Sequence, residues 1–307
     1  MTRATRVLVT GAAGQVGVDL VDTLNAIVVP GADRAYWGDG RPVDEGEFDV
    51  LGVSHHELDI TDHAAVIRAI STVRPDVIVH LAAYTAVDRA ESDVETCYAV
   101  NSTATGSLSL AAQEVGAHFI AISTDYVFDG AKGSAYVEDD ATNPLSVYGA
   151  SKLAGELHCS GDDTIVRTSW VMGVRGKNVL HAIARRAASG EQVRFVDDQM
   201  GTVTAAADLA HALVSVVRAR PGGTWHVANC GATTWFDVAR FAGHELGRDA
   251  QFATPIRTED LSPAPVARRP ARSDLCTEKW TSAGFHELPN WTDAVARLLR
   301  DRTPESS

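Results

Sequence analysis

Tyr148 and Lys152 lie four residues apart in Tyr148-Gly149-Ala150-Ser151-Lys152, a spacing that puts a phenol and an ammonium on one face of a helix. A phenol has a reference pKa of about 10 and is a reluctant acid at neutral pH, but a nearby cation favours its anion and lowers that value. Such a phenol can protonate the alkoxide formed when hydride reaches a ketone. The hydroxyl of Thr124, in Ser123-Thr124-Asp125-Tyr126, is a candidate to hold the carbonyl oxygen and share its developing charge. A Tyr/Lys pair at this spacing also occurs on helices that do no chemistry, so its meaning depends on the elements that position it.

Short β-branched runs at Arg6–Thr10, Asp49–Val53, Asp76–Leu81, His118–Ser123 and Thr164–Arg167 alternate with amphipathic or Ala-rich segments. The alternation predicts an α/β fold with a doubly wound parallel (Rossmann) sheet. Thr124 then falls just past the carboxyl end of a strand, the edge at which ligands collect in such sheets. Helical patterns over Val179–Ala188, Ala207–Arg218, Trp235–Leu246 and Trp291–Arg300 predict a smaller C-terminal substrate-binding domain. Residues 1–170 are read as the dinucleotide-binding domain and 171–307 as the substrate-binding domain, with 203–229 expected to pack back onto the first. Pro30–Glu47, rich in Gly, Asp and Arg, stands where about two to six residues usually suffice and reads as an inserted loop. The polar tail Thr303–Ser307 is expected to fray.

Thr10-Gly11-Ala12-Ala13-Gly14-Gln15-Val16-Gly17 follows the first strand and opens a helical pattern. Glycines there permit a tight turn and let backbone amides and a helix N-terminus approach a pyrophosphate. The plainer reading is a strand-to-helix turn that merely uses glycine; the flanking strand and helix favour a dinucleotide. The second strand ends Val53-Ser54-His55-His56 with no carboxylate at its tip, so a 2′-phosphate would not be repelled. NADPH is therefore favoured, with NADH admissible, and Ser54, His55, Arg34 or Arg41 are candidate contacts. The histidine pair reads equally as an exposed loop.

The chain has 307 residues, a formal net charge of −13 and a pI near 5.2, which argues against nucleic-acid or membrane-surface partners. Cys97, Cys159, Cys230 and Cys276 are widely spaced, suggesting reduced thiols and no metal site. Without an apolar signal core or a membrane-length run, the expected location is cytoplasmic.

The motifs together resemble the extended short-chain dehydrogenase/reductases, and among them the dTDP-4-dehydrorhamnose reductase family. The match runs through Gly11–Gly17, Leu58–Asp62, Ala82–Asp88, Ser123–Gly130, Tyr148–Glu156, Arg167–Trp170, Asp198-Gln199 and Ala267–Pro270. The resemblance implies reduction of the 4-keto group of a dTDP-4-keto-6-deoxysugar. It implies that Gly14, Gln15 and Val16, beside Gly11 and Gly17, contact the cofactor phosphates; that Asp59 and Ile60 meet the adenine; and that Ala83, Tyr84 and Thr85 meet the ribose and nicotinamide side. Thr124, Tyr148 and Lys152 fill the catalytic places, with Lys152 also on the nicotinamide ribose. Asp125 and Trp170 fall where the family holds the sugar nucleotide, although Trp170 reads also as a core aromatic and Asp125 as a turn carboxylate. Arg268, Arg269 and Arg272 form a basic cluster suited to a diphosphate, Arg269 above all, or a solvated surface.

Two departures stand out: the Pro30–Glu47 insertion, and Val203 where the family's Asp-Gln-x-Gly-x-Pro-Thr run has proline. The reading leaves room for a homodimer. A 4,6-dehydratase would need a Thr-Asp-Glu run, whereas Tyr126 follows Asp125 here. A branched deoxysugar (dihydrostreptose-type) synthase competes with the simple reductase. So does a non-catalytic nucleotide-binding protein, like the regulatory subunit of methionine adenosyltransferase.

Overall fold

The computed structural model describes residues 3–33, 36 and 38–302. Its centre is β1 (Thr5–Thr10), α1 (Gln15–Leu24), β2 (Phe48–Val53), α2 (His63–Val73), β3 (Val77–His80), α3 (Ala104–Val115), β4 (His118–Thr124), α4 (Val147–Glu156) and β5 (Thr164–Thr168). Later in the chain come α5 (Val179–Ser189), α6 (Ala206–Ala219), β6 (Gly223–His226), α7 (Trp235–Glu245) and α8 (Trp291–Asp301). The six strands form one parallel sheet in the order β6-β5-β4-β3-β1-β2. Strand order reverses between β1 and β3, the switch point at which doubly wound sheets bind ligands.

Alternation along each strand explains why the sheet is covered on both faces. Val7, Val9, Val77, Val79 and Ile120 enter a core with Leu20 and Leu24 of α1 and Leu209, Leu213 and Val217 of α6. Their neighbours Leu8, Ile78 and Phe119 enter the opposite core, with Val66 and Ile70 of α2 and Leu108 of α3. Between these layers His80 lies 2.8 Å from Thr10 Oγ1 and 3.2 Å from Thr105 Oγ1. Burial pushes its pKa down to about 3, so it joins β1, β3 and α3 as a neutral ring.

A separate core, including Leu180, Ile183, Val238, Phe252 and Leu298, joins α5, α7 and α8. It includes the fully buried Val203, the position where a proline was expected. Two short sheets flank it: Met200–Thr202 pairs antiparallel with Ala232–Thr234, and Val193–Val196 parallel with Ala253–Ile256. Residues 223–226, which the sequence pattern did not reveal as a strand, pair with β5 as the sixth strand of the large sheet.

The described residues of the insertion at 30–47 carry no helix or strand, in keeping with an inserted loop, and pack as a strap. Tyr36 is buried and stacks on His211 of α6 at 6.5 Å. Arg218, also of α6, donates to Asp39 at 2.9 Å and to Glu47 at 2.7 Å, and to the carbonyls of Arg41 and Pro42. Gly31 receives Arg297 of α8 on its carbonyl and gives its amide to Asp301 at 2.9 Å. The strap thus closes the outer face of α6. Arg34 and Thr303–Ser307 lie outside the described residues. Among the described residues no helix is long and apolar enough to cross a membrane.

Candidate active site

A cavity of about 1080 Å³ opens at the carboxyl edge of β1, β3, β4 and β5, slightly larger than the roughly 300–1,000 Å³ of usual ligand sites. Its floor begins at the glycine loop. Gly11 has φ +72°, and a Cβ there would lie 2.5 Å from the Ala82 amide nitrogen; a Cβ on Gly17 would run into the Gly11 carbonyl. The loop must therefore be glycine for β1, β3 and α1 to meet this closely. Gly14 is the N-cap of α1 and offers no side chain to its amides, so the positive end of that helix faces the cavity. Gln15 Oε1 accepts from the Gly173 amide and from Asn178 Nδ2, both at 3.0 Å, tying the loop to the smaller lobe. This shape fits a dinucleotide pyrophosphate. Gly11→Ala is expected to weaken NADPH binding more than tenfold in equilibrium titration, since the backbone has no way to give; near-wild-type affinity would contradict the cradle.

Along the wall lie Ser54, Asp59 and Ile60, then Ala83, Tyr84 and Thr85 past β3, with Val16 at the start of α1. The tip of β2 differs from the expectation drawn for it. Glu57, three residues on from Ser54, folds back and accepts from the Ser54 amide and hydroxyl, each at 2.8 Å. A carboxylate is thus present there, spent on the turn, and it is not part of the cavity wall, whereas His55 and Thr61 are. Asp59 accepts from the amide and hydroxyl of Thr61 at 2.9 and 2.7 Å, and these bonds hold its carboxyl below its ordinary value. Arg41 stands away from the wall, paired with Glu47 at 3.0 Å.

Tyr148, Lys152 and Thr124 meet on the opposite side of the same cavity. Ser146 caps α4 by accepting from the Gly149 amide at 3.2 Å, which fixes Tyr148 in the first turn and Lys152 one turn later. The Thr124 hydroxyl favours the anion of the Tyr148 phenol. From the sequence, the ammonium was expected to be the main influence on that phenol, and the structure corrects this. Burial dominates and pushes Tyr148 up to about 12, the charge of Asp125 adds to the rise, and the Thr124 hydroxyl opposes it. The phenol is consequently protonated at neutral pH and able to donate. Burial also pushes Lys152 down to about 8, against the charge of Glu156 one turn on. Above about pH 8 the cation is lost, so kcat/KM for NADPH, which reports the free enzyme, should fall about tenfold per pH unit there. A level profile to pH 10 would show that this ammonium does not matter.

Asp125 and Arg269 do not reach the cavity wall. Asp125 is fully buried beneath it, accepting from Thr124 Oγ1 at 3.1 Å and Ser273 Oγ at 2.5 Å, and burial raises its carboxyl to about 6. Arg269 grips Asp88 with two nitrogens at 2.7 and 2.6 Å, and its charge opposes the rise that burial gives the Tyr126 phenol. Tyr126 in turn meets the Tyr148 ring edge-on at 5.9 Å. Arg272 holds Asp274 at 2.7 Å. Trp170 is on the wall, with Thr168 and Ser169.

Asn101 escaped the sequence reading. It sits in a π-helical turn, Ala99–Thr103, just before α3, a feature often found at functional sites. Its amide accepts from Tyr84 N at 2.8 Å, donates to Tyr84 O at 3.0 Å and donates to Ser151 Oγ at 3.0 Å. It thereby ties the wall past β3 to α4. An asparagine within a helical pattern carries no signal that its helix will bulge.

The family described as RmlD substrate binding domain matches residues 5–303. The chain belongs to that family. It is 38% identical to the dTDP-4-dehydrorhamnose reductase of Burkholderia thailandensis, over 96% of this chain and 98% of that protein. It is 40% identical to the dTDP-4-dehydrorhamnose reductase of Streptomyces griseus, over 94% and 91%. Among solved structures, the dTDP-4-dehydrorhamnose reductase of Bacillus anthracis in complex with NADP superposes with a TM-score of 0.86 at 32% identity, covering 97% of this chain and 99% of that one. The solved structures share the doubly wound sheet seen here.

Proposed function

We propose that this protein catalyses NADPH-dependent reduction of the 4-keto group of a dTDP-4-keto-6-deoxyhexose. The observation that carries the proposal is that Thr124, Tyr148 and Lys152 line the same cavity as the glycine loop. The relatives named as dTDP-4-dehydrorhamnose reductases and the NADP complex of one of them support both halves of this reading.

Gly11, Gly14, Gln15, Val16 and Gly17 would cradle the dinucleotide, which would supply the hydride when bound. Every other requirement falls to side chains of the chain. Thr124 fixes the sugar carbonyl oxygen beside the phenol, and Tyr148, kept protonated by its burial, passes a proton to that oxygen as the alkoxide forms. Lys152 would hold the nicotinamide ribose with its ammonium. Asp125 accepts the Thr124 hydroxyl from below until a carbonyl takes its place, and is itself held by Ser273. Arg269 acts through Tyr126, whose ring packs against Tyr148. His55 and Thr61, on the wall beside the β2 tip, leave room for a 2′-phosphate, because Glu57 is turned onto Ser54.

Purified protein should oxidise NADPH when given a dTDP-4-keto-6-deoxyhexose, with a Michaelis constant for NADPH at least tenfold below that for NADH. Failure to consume NADPH would overturn the function, and a preference for NADH would overturn the cofactor choice alone.

A further inference from the structure

Trp170 adopts φ +42°, a left-handed backbone that a bulky L-residue keeps only where its surroundings over-determine it. Those surroundings are specific. On one side the Trp170 ring lies against Gly201, so close that a Cβ on that glycine would stand 2.6 Å from two atoms of the indole. The indole also stacks on Trp235, with ring centroids 4.0 Å apart and planes at 12°.

Gly201 and Trp235 are two parts of one piece. Met200–Thr202 pairs antiparallel with Ala232–Thr234, and Gly201 stands opposite Thr233 in the register. Trp235 follows that strand directly as the first residue of α7. Its place is pinned by Thr234, whose hydroxyl accepts from the Asp237 amide at 3.1 Å and donates to the Asp237 carboxylate at 2.9 Å. The Trp170 carbonyl also accepts from the Thr204 amide, beyond the same strand, at 3.3 Å. The paired strands of the smaller lobe therefore hold Trp170 by ring and backbone together, while Trp170 itself forms cavity wall.

From this geometry we infer that Trp235 is a positioning residue for the sugar nucleotide: with Gly201 it clamps Trp170, through which it sets the substrate side of the cavity without touching the reacting atoms. The inference rests on the proposed function, which supplies the ligand. Trp235 lies outside the cavity wall, and the glycine loop and Tyr148 belong to other elements, so cofactor binding and proton transfer should not depend on it.

The test compares wild type with Trp235→Leu, Trp235→Phe and Gly201→Ala, reading three quantities: the Michaelis constant for the dTDP-4-keto-6-deoxyhexose, the dissociation constant of dTDP measured calorimetrically, and the dissociation constant of NADPH. Trp235→Leu and Gly201→Ala should each raise the first two about tenfold and leave NADPH affinity and kcat within twofold. Trp235→Phe, which keeps a ring to stack, should recover most of the loss. Folding is checked by circular dichroism and thermal unfolding; if Trp235→Leu fails to fold, Gly201→Ala and Trp235→Phe still carry the comparison. Wild type that binds dTDP and a folded Trp235→Leu or Gly201→Ala that binds it equally well would overturn the inference alone. A parallel loss of NADPH affinity in folded variants would also overturn it, by showing a general structural role. Wild type that binds no dTDP would overturn the proposed function, and this inference with it.

Discussion

Tyr148→Phe is expected to lower kcat by a factor of about a hundred to ten thousand, the usual range for removing a general acid, while NADPH affinity stays within twofold. The phenol is the donor poised beside Thr124, and burial keeps it protonated through the whole neutral range. Phenylalanine keeps the ring that packs edge-on against Tyr126, so the variant removes one hydroxyl and little else. Steady-state turnover with the sugar nucleotide and a separate titration with NADPH would separate the two effects. Turnover within threefold of wild type would remove Tyr148 from the chemistry.

Asp208→Ala should have the largest effect on stability, about 3–5 kcal/mol in urea unfolding, because it breaks a buried ion pair by taking one partner away. Asp208 is fully buried on α6, and Arg297 of α8 reaches it with two nitrogens at 3.1 and 2.7 Å. Asn229 donates to it at 2.7 Å and accepts from the Ala205 amide at 2.7 Å. Arg297 also donates to the Gly31 carbonyl. One carboxylate therefore gathers α6, α8, the 30–47 strap and the turn before α6. Without it the guanidinium keeps the Gly31 carbonyl and, as its carboxylate partner among the described residues, the half-exposed Asp293 at 2.8 Å. Replacing both partners, Asp208→Leu with Arg297→Met, should recover part of the loss, as no buried charge is then left alone. A cost below about 1 kcal/mol for the single change would show that the network adds little.

The sheet was legible because each central strand is buried on both faces. Runs such as Val7-Leu8-Val9 and Val77-Ile78-Val79 leave no polar position to confuse the pattern, and each was located to within a residue or so of its ends. The glycine loop and the Tyr148/Lys152 face were legible for a similar reason, being local in sequence. What escaped depends on distant partners. Gly223–His226 is four residues without alternation and becomes a strand only by pairing with 164–167. The strap reads as loop because its order comes from Arg218 and Arg297, more than 170 residues away. Glu57 turning onto Ser54 and burial overriding Lys152 at Tyr148 are likewise matters of placement. Composition places neither.

The central claim is that Tyr148 gives a proton to the same carbonyl that receives hydride from NADPH, and isotope transfer tests it most directly. NADPH deuterated at the transferred position of the nicotinamide should yield a deoxyhexose with one deuterium, located at C4 by NMR, and Tyr148→Phe should form this product far more slowly. Deuterium at another carbon, or its absence from a product formed with full NADPH consumption, would contradict the account.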